Sequence, residues 1–580
     1  MDATGYLAGL NRDWRERFVA EKRVLSFAQY LNLFEACPGK LGRSSAQYLK
    51  DVLDYHGTRM VATPGRDLLR YSLFDITFDG GRERLIGQEA VQQDFYHILA
   101  NFAQEGRASR LVLLHGPNGS AKTSFVQCLA RAMVDYSSTD DGAVYTFNWV
   151  FPKSSYLGKR VGFDAGGDLP PDLETHAFLE ELNLAARVPA ELRDHPLFLL
   201  PLGDRQAFLD ELQAAGKVPD GFRFAENLLR GDLGPVSRRI FDALLSSYGG
   251  NLAQVLAHVQ VERVYLSRRY RRGLVTVEPQ MHVDAAIRQI TMDESYGNLP
   301  AVLRHVPMFE LSGDLVDAHR GLLEYSDMLK RPMDTFKYLL GTCESGSVSV
   351  TGAILHLDLL FVGTTNDKYL EAFTRTPDFP SFKGRMELVR VPYLRSYTVE
   401  RGIYDMQVTE AVAGKHIAPH ASAVVALWAV LTRLHKCDPA AYPESIQAAV
   451  TALTPIEKAD LYASGTPPSG LKPDVARELR KAIDFMLAES RGSTDYEGSL
   501  GASPREAKGA LLSAAHTDRY RCLHPVQVFD ELEGLLEQRS LYEFLQMAPD
   551  GEYHRHPELL EAVRERYAQW VDTELKQAMG

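Results

Sequence analysis

Hydrophobic positions divide the chain into three textures. From residue 1 to about 80, apolar residues recur at three- and four-residue spacing, as in DWRERFVAEKRVLSFAQYLNLFEA and SSAQYLKDVLDYHG, which predicts amphipathic helices. From about 81 to 395, short apolar runs replace that rhythm. SRLVLLHG, VYTFNWVF, GLVTVEP, GLLEYSD and LDLLFVGTTN alternate with helical stretches, the pattern of a doubly wound parallel sheet covered by helices. Beyond 396 the strand-like runs stop. ASAVVALWAVLTRLHK, PDVARELRKAIDFMLAES, SPREAKGALLSAAHTD and PELLEAVRERYAQWVDTELKQAM all have a helical period. The expected organisation is a helical region over 1–80, an α/β core over 81–395, a helical domain over 396–525 and C-terminal helices over 526–580. No internal repeat interrupts it.

Length and charge narrow the partners. At 580 residues the chain exceeds a single core. Its 76 acidic against 64 basic residues give a net charge of −12, which disfavours broad contact with nucleic-acid phosphate. Five scattered cysteines without a CxxC pair suit a reducing compartment. MDATGYLAGLNRDWRERF turns charged before any apolar stretch develops, and no apolar run reaches membrane-spanning length, so a cytoplasmic protein without a membrane segment is expected.

One segment carries chemistry on its own. Leu111-Val112-Leu113-Leu114-His115 reads as a strand; Gly116-Pro117-Asn118-Gly119-Ser120-Ala121 reads as a turn; Lys122-Thr123-Ser124-Phe125 opens an amphipathic helix. This strand–turn–helix fits the phosphate loop, Gly-x4-Gly-Lys-Ser/Thr. Glycines let the backbone approach phosphate, while N–H groups and the helix N-terminus bind the anion. Lys122 would meet the β- and γ-phosphates of ATP, and the Thr123 hydroxyl would bind Mg2+. Ala121 replaces the second glycine; a negative φ at the start of the helix would let alanine stand there.

Hydrolysis also needs acids that organise metal and water. Two later strands end in acids: LVTVEP supplies Glu278, and RGLLEYSDMLK supplies Glu324 and Asp327. The second is preferred, because a helix, a hairpin (ESGSVSVTGAILHLD) and a strand ending in a polar cluster, LLFVGTTN, follow it. That succession resembles AAA+ proteins of the pre-sensor-hairpin group. The resemblance assigns Asn366 to the first sensor and divides metal and catalytic roles between Glu324 and Asp327. It makes Arg385, in FKGRMELVRVPY, a finger for a neighbouring subunit, so a homo-oligomer is implied. Arg505, in GASPREAKGALL, resembles the lid arginine, and Ile86 and Gly87, in ERLIGQEAVQQ, resemble the box along the adenine.

GPNGSAKTSF, FDALLSSYGGNLAQVLAHVQVERVYLSRR, RGLLEYSDMLKRP, SVSVTGAILHLDLLFVGTTN, FKGRMELVRVPY and GASPREAKGALLSAA together resemble the PrkA family, bacterial serine protein kinases with an AAA+ core. The resemblance spans residues 1 to about 560. It implies a helical lid and ATP-dependent phosphorylation of a protein substrate whose identity stays open. An AAA+ ATPase that remodels or degrades proteins, and a nucleotide-switched stress-response scaffold, are the alternatives. No HRD, VAIK-like strand or DFG is present, so any phosphotransfer must use the AAA+ site. HExxH and GxSxG are absent too. The basic run Ser267–Arg272 reads as a solvated, ion-paired face, and His554 and His556 lack metal-ligand company. Asn148 and Lys153, on VYTFNWVFPK, are candidates to lie near the nucleotide.

Overall fold

The computed structural model describes residues 24–77, 84–153, 175–278, 286–289, 309–332, 337–350, 353–489, 494–517 and 520–579, with Leu303. Five parallel strands form its centre: β1 (Leu111–His115), β2 (Leu274–Val277), β3 (Gly321–Tyr325), β4 (Leu359–Thr365) and β5 (Met386–Arg390), in the order β5-β1-β4-β3-β2. After β1 the chain crosses to the far edge, returns through β3 and β4, and adds β5 on the other side of β1. The direction of winding therefore reverses at β1, where open α/β sheets bind ligands beyond the strand ends. His115, at the end of β1, lies in register beside Thr365 and Arg390.

Alternation along β1 assigns its two faces. Val112 and Leu114 enter a core with α1 (Glu89–Glu105) and α2 (Lys122–Ser137), whereas Leu111 and Leu113 enter a second core on the opposite face. A short helix, α3 (Asp367–Thr374), continues directly from β4.

VYTFNWVF departs from expectation. Its strand, Val144–Pro152, pairs antiparallel with Val259–Val264 and Leu184–Pro189, and Val24–Ser26 completes a separate four-stranded sheet with its own core. Nearly every residue of this strand is buried on both faces, so its apolar run matches that of a parallel strand. Asn148 is buried inside this sheet and Lys153 donates to the Leu182 carbonyl, so the structure groups neither with the phosphate loop. The N-terminal region is also not wholly helical. Ser26 caps a helix that begins only at Phe27, and Thr58–Ala62 pairs with Asp67–Tyr71 as a hairpin. The start of the expected first helix, 13–23, lies outside the described residues, as do 333–336 of PMDTFKYLLGT.

The helical half contains α4 (Tyr397–Gln407), α5 (Ala421–Leu431), α6 (Pro504–His516), α7 (Pro525–Glu537) and α8 (His556–Met579). α5 is buried on every side, which makes it the axis of one core running from Tyr404 to Val563. The expected boundary at 525/526 therefore divides no core. Among the described residues, no helix is long and apolar enough to cross a membrane.

Candidate nucleotide site

The turn from β1 to α2 is built on left-handed backbone. Gly116 has φ +156°, and a Cβ there would fall 2.1 Å from the Val391 carbonyl oxygen, so β5's exit excludes any side chain. Gly119 has φ +83°. Ala121 has φ +75° and ψ +15°, which corrects the expected negative φ: this position holds a glycine-type conformation with an alanine. Ser120 is buried, Thr123 is exposed and Ser124 is half-buried on the first turn of α2. Lys122 is only 7% exposed, and its Nζ donates to the carbonyls of Gly116 and Pro117 at 2.7 Å each. Burial pulls its pKa down to about 8, while Asp367 and Asp327 pull it up and Arg505 and Lys330 lower it further.

The two β3 acids part company. Asp327 has left-handed backbone, its N–H donates to Thr364 Oγ1 at 3.1 Å, and its carboxylate accepts from Lys330 at 2.6 Å within the field of Lys122. Glu324 instead accepts from Thr276 Oγ1 at 2.8 Å on the neighbouring strand. Burial pushes its carboxyl up, with Thr276 and Arg268 opposing and Glu278 reinforcing. The structure thus brings Asp327 toward the loop and turns Glu324 toward the basic turn, where Arg271 pairs with Asp314 and Asp317.

Asn366 is buried at the junction of β4 and α3. Arg505, on the first turn of α6, packs over the loop: a Cβ on Gly119 would lie 3.8 Å from its Cγ. Gly87 has φ +70° and fits against Leu394 and Val399, while Ile86 faces Gly402 of α4. Arg385 stands apart. It precedes β5, at the end of the sheet away from the loop and about 16 Å from it at ~3.3 Å per strand residue, half-exposed and paired with Glu344 at 2.7 Å. His554 and His556 bond the carbonyls of Leu434 and Phe544.

Arg70, Gln88, Asp367 and Tyr496 join this region without having been assigned to it from the sequence. Buried Arg70 grips the backbone of the Leu85–Gly87 segment, donating to the carbonyls of Leu85 and Gly87 and to Glu89. Gln88 Nε2 bridges the carbonyls of Ser120 and Pro392. Asp367 meets His115 Nδ1 with one oxygen and the Tyr496 hydroxyl with the other, both at 2.7 Å. Their sequence signals are Gln88's place inside ERLIGQEAVQQ and Asp367's place next to Asn366. Among the described residues, no three His, Cys, Asp or Glu gather as a metal cage. A nucleotide-bound Mg2+ needs no such cage, since one or two protein oxygens and phosphates hold it; the Thr123 hydroxyl and Asp327 carboxylate fit that requirement.

Comparison with known proteins adds a family. Residues 178–440 match the PrkA AAA domain, and residues 456–580 match the PrkA serine protein kinase C-terminal domain. The AAA match begins after the phosphate loop, so the loop stands on its own pattern and geometry. Over 556 residues, 95% of this chain and 71% of the relative, the chain is 22% identical to the ATP-dependent protease PrkA of Bacillus subtilis (strain 168). Two crystal structures of NtrX from Brucella abortus, one in complex with ADP, are 18% and 19% identical. The similarity covers 30% of this chain and 43% and 44% of theirs, less than half their length, with TM-scores of 0.15 and 0.16.

Proposed function

Since the chain belongs to the PrkA family and carries its AAA domain followed by its C-terminal domain, we propose that it binds ATP at Lys122 and Thr123 and couples hydrolysis to work on a protein substrate. The observation that carries this reading is the left-handed turn Gly116–Ala121, with Lys122 at its end and Arg505 packed over it. Lys122 neutralises phosphate charge, and the backbone N–H groups and N-terminus of α2 hold the anion. Thr123 and Asp327 would hold Mg2+, which when bound neutralises charge developing between the phosphates. Asp327 and Asn366 orient the attacking water, whose oxygen bonds to the γ-phosphorus as the bond to the ADP oxygen breaks. Arg505 stabilises the same charge from the helical domain. Arg385 serves the site of a neighbouring copy, which its distance from its own loop and its exposure support.

Remodelling or delivery of a protein is favoured as the output by the name of the Bacillus subtilis relative, an ATP-dependent protease. Phosphotransfer to a protein serine or threonine is the second reading, favoured by the name of the matched C-terminal domain. Incubation with γ-labelled ATP and candidate proteins separates them. Label in free phosphate with clients altered or consumed supports the first; stoichiometric label on protein that vanishes in Lys122→Ala supports the second. No release and no transfer sinks both.

A further inference from the structure

Three consecutive residues join the helical domain to the nucleotide site, Tyr496 and Gly498 touching the site at different points. Tyr496 donates to Asp367, the first residue of α3 and the neighbour of Asn366, and its ring lies 4.2 Å from the Arg390 guanidinium. Gly498 accepts from the Tyr393 N–H at 2.9 Å, and the Tyr393 hydroxyl donates to the Asn118 carbonyl in the phosphate loop at 2.5 Å. Between them Glu497 points the other way. Its carboxylate accepts from Lys458 Nζ at 2.6 Å, the Tyr462 hydroxyl at 2.8 Å and the His435 N–H at 3.0 Å, all deep in the helical core.

We propose that Tyr496-Glu497-Gly498 is the joint coupling the nucleotide site to the helical C-terminal domain, with Tyr496 a positioning residue for ATP turnover acting through Asp367. The proposal rests on the nucleotide-site reading above. Asp367 spends one oxygen on His115, at the tip of β1, and the other on Tyr496. Those two bonds fix the first turn of α3 and hence the direction of Asn366. A shift of α3 or the loop pulls on Tyr496 and Gly498. The Glu497–Lys458 pair is buried on both sides, 3% exposed each, and separating buried partners leaves charges unpaired. The helix Pro455–Ser464, which carries Lys458, therefore moves with the joint rather than letting go.

Tyr496→Phe in the full chain tests this, since it keeps the ring against Arg390 and removes only the hydroxyl. Three quantities are read: ATP Kd, kcat, and amide hydrogen exchange over 434–462 with and without a non-hydrolysable ATP analogue. Expected are a Kd within about threefold of the parent, a kcat lowered about tenfold, and loss of the nucleotide-dependent exchange change seen in the parent. Tyr397→Phe, which removes a different hydroxyl of the same domain from Asp460, keeps parental Kd and kcat. Parental kcat and exchange in Tyr496→Phe overturn the proposal; so does a joint loss of affinity, turnover and melting temperature, which marks a structural role. A parent that hydrolyses ATP with no nucleotide-dependent exchange over 434–462 overturns the coupling alone. A parent that binds no nucleotide removes the site reading with it.

Discussion

Ala121 carries a backbone turn that glycine would carry with less strain. A left-handed non-glycine residue costs about 1–2 kcal/mol, partly offset by the extra freedom glycine has when unfolded. Ala121→Gly is therefore expected to raise unfolding free energy by up to about 1 kcal/mol with ATP affinity kept or improved; denaturant melts and a binding titration check it. Lys122 yields a second expectation with two signs. Burial holds its amine near pKa about 8 against the ordinary 10.5, whereas phosphate contact requires the charged form. ATP affinity should fall above pH 8, by up to about tenfold per unit. Folding responds oppositely: between 8 and 10.5 the unfolded chain binds more protons at this residue, so its contribution to stability rises with pH. Calorimetric titration and melts across that range separate the two. The grouping of Lys122 with its loop was legible in a short local pattern, and Arg505's place over that loop only through the family resemblance. Asp367 and Tyr496 were not, since their bond closes across 129 positions. Nor was Ala121's φ, which the residue type argues against.

The end of β3 shows what an element adds to a motif. Sequence leaves Glu324 and Asp327 equivalent, but strand alternation and a left-handed turn send them to different neighbours. Asp327→Asn should leave ATP affinity within about threefold and slow turnover about 100-fold, because metal and water are organised chiefly in the transition state. Glu324→Gln should lose far less turnover and shift stability instead, since Thr276 and the basic turn hold that carboxylate. The reverse ranking in steady-state kinetics would reassign the acid. The strand VYTFNWVF teaches the complementary lesson. A run buried on both faces carries no period that distinguishes parallel from antiparallel pairing, so only its partners, Leu184–Pro189 and the more distant Val259–Val264, decide the sheet. Four of the five core strands, by contrast, were visible as apolar runs ending in polar residues; β5, inside FKGRMELVRVPY, was not read as a strand.

At the scale of the whole molecule, the α/β core and the helical half follow the sequence textures, while the 525/526 division does not, because α5 gathers helices from both sides into one core. Arg385 lies at the wrong end of its own sheet to serve its own loop. Mixing Arg385→Ala with Lys122→Ala chains should then restore part of the ATPase activity that each lacks, with parental activity rising with protein concentration. Strictly additive activity of the mixture would leave Arg385 to its ion pair with Glu344. Equilibrium titration of ATP with Mg2+ into the parent and into Lys122→Ala, both shown folded by circular dichroism, tests nucleotide binding at the Lys122 loop most directly. Saturable binding by the parent, with affinity lowered at least about tenfold in Lys122→Ala, is the predicted result; equal affinity in the two folded chains would contradict it.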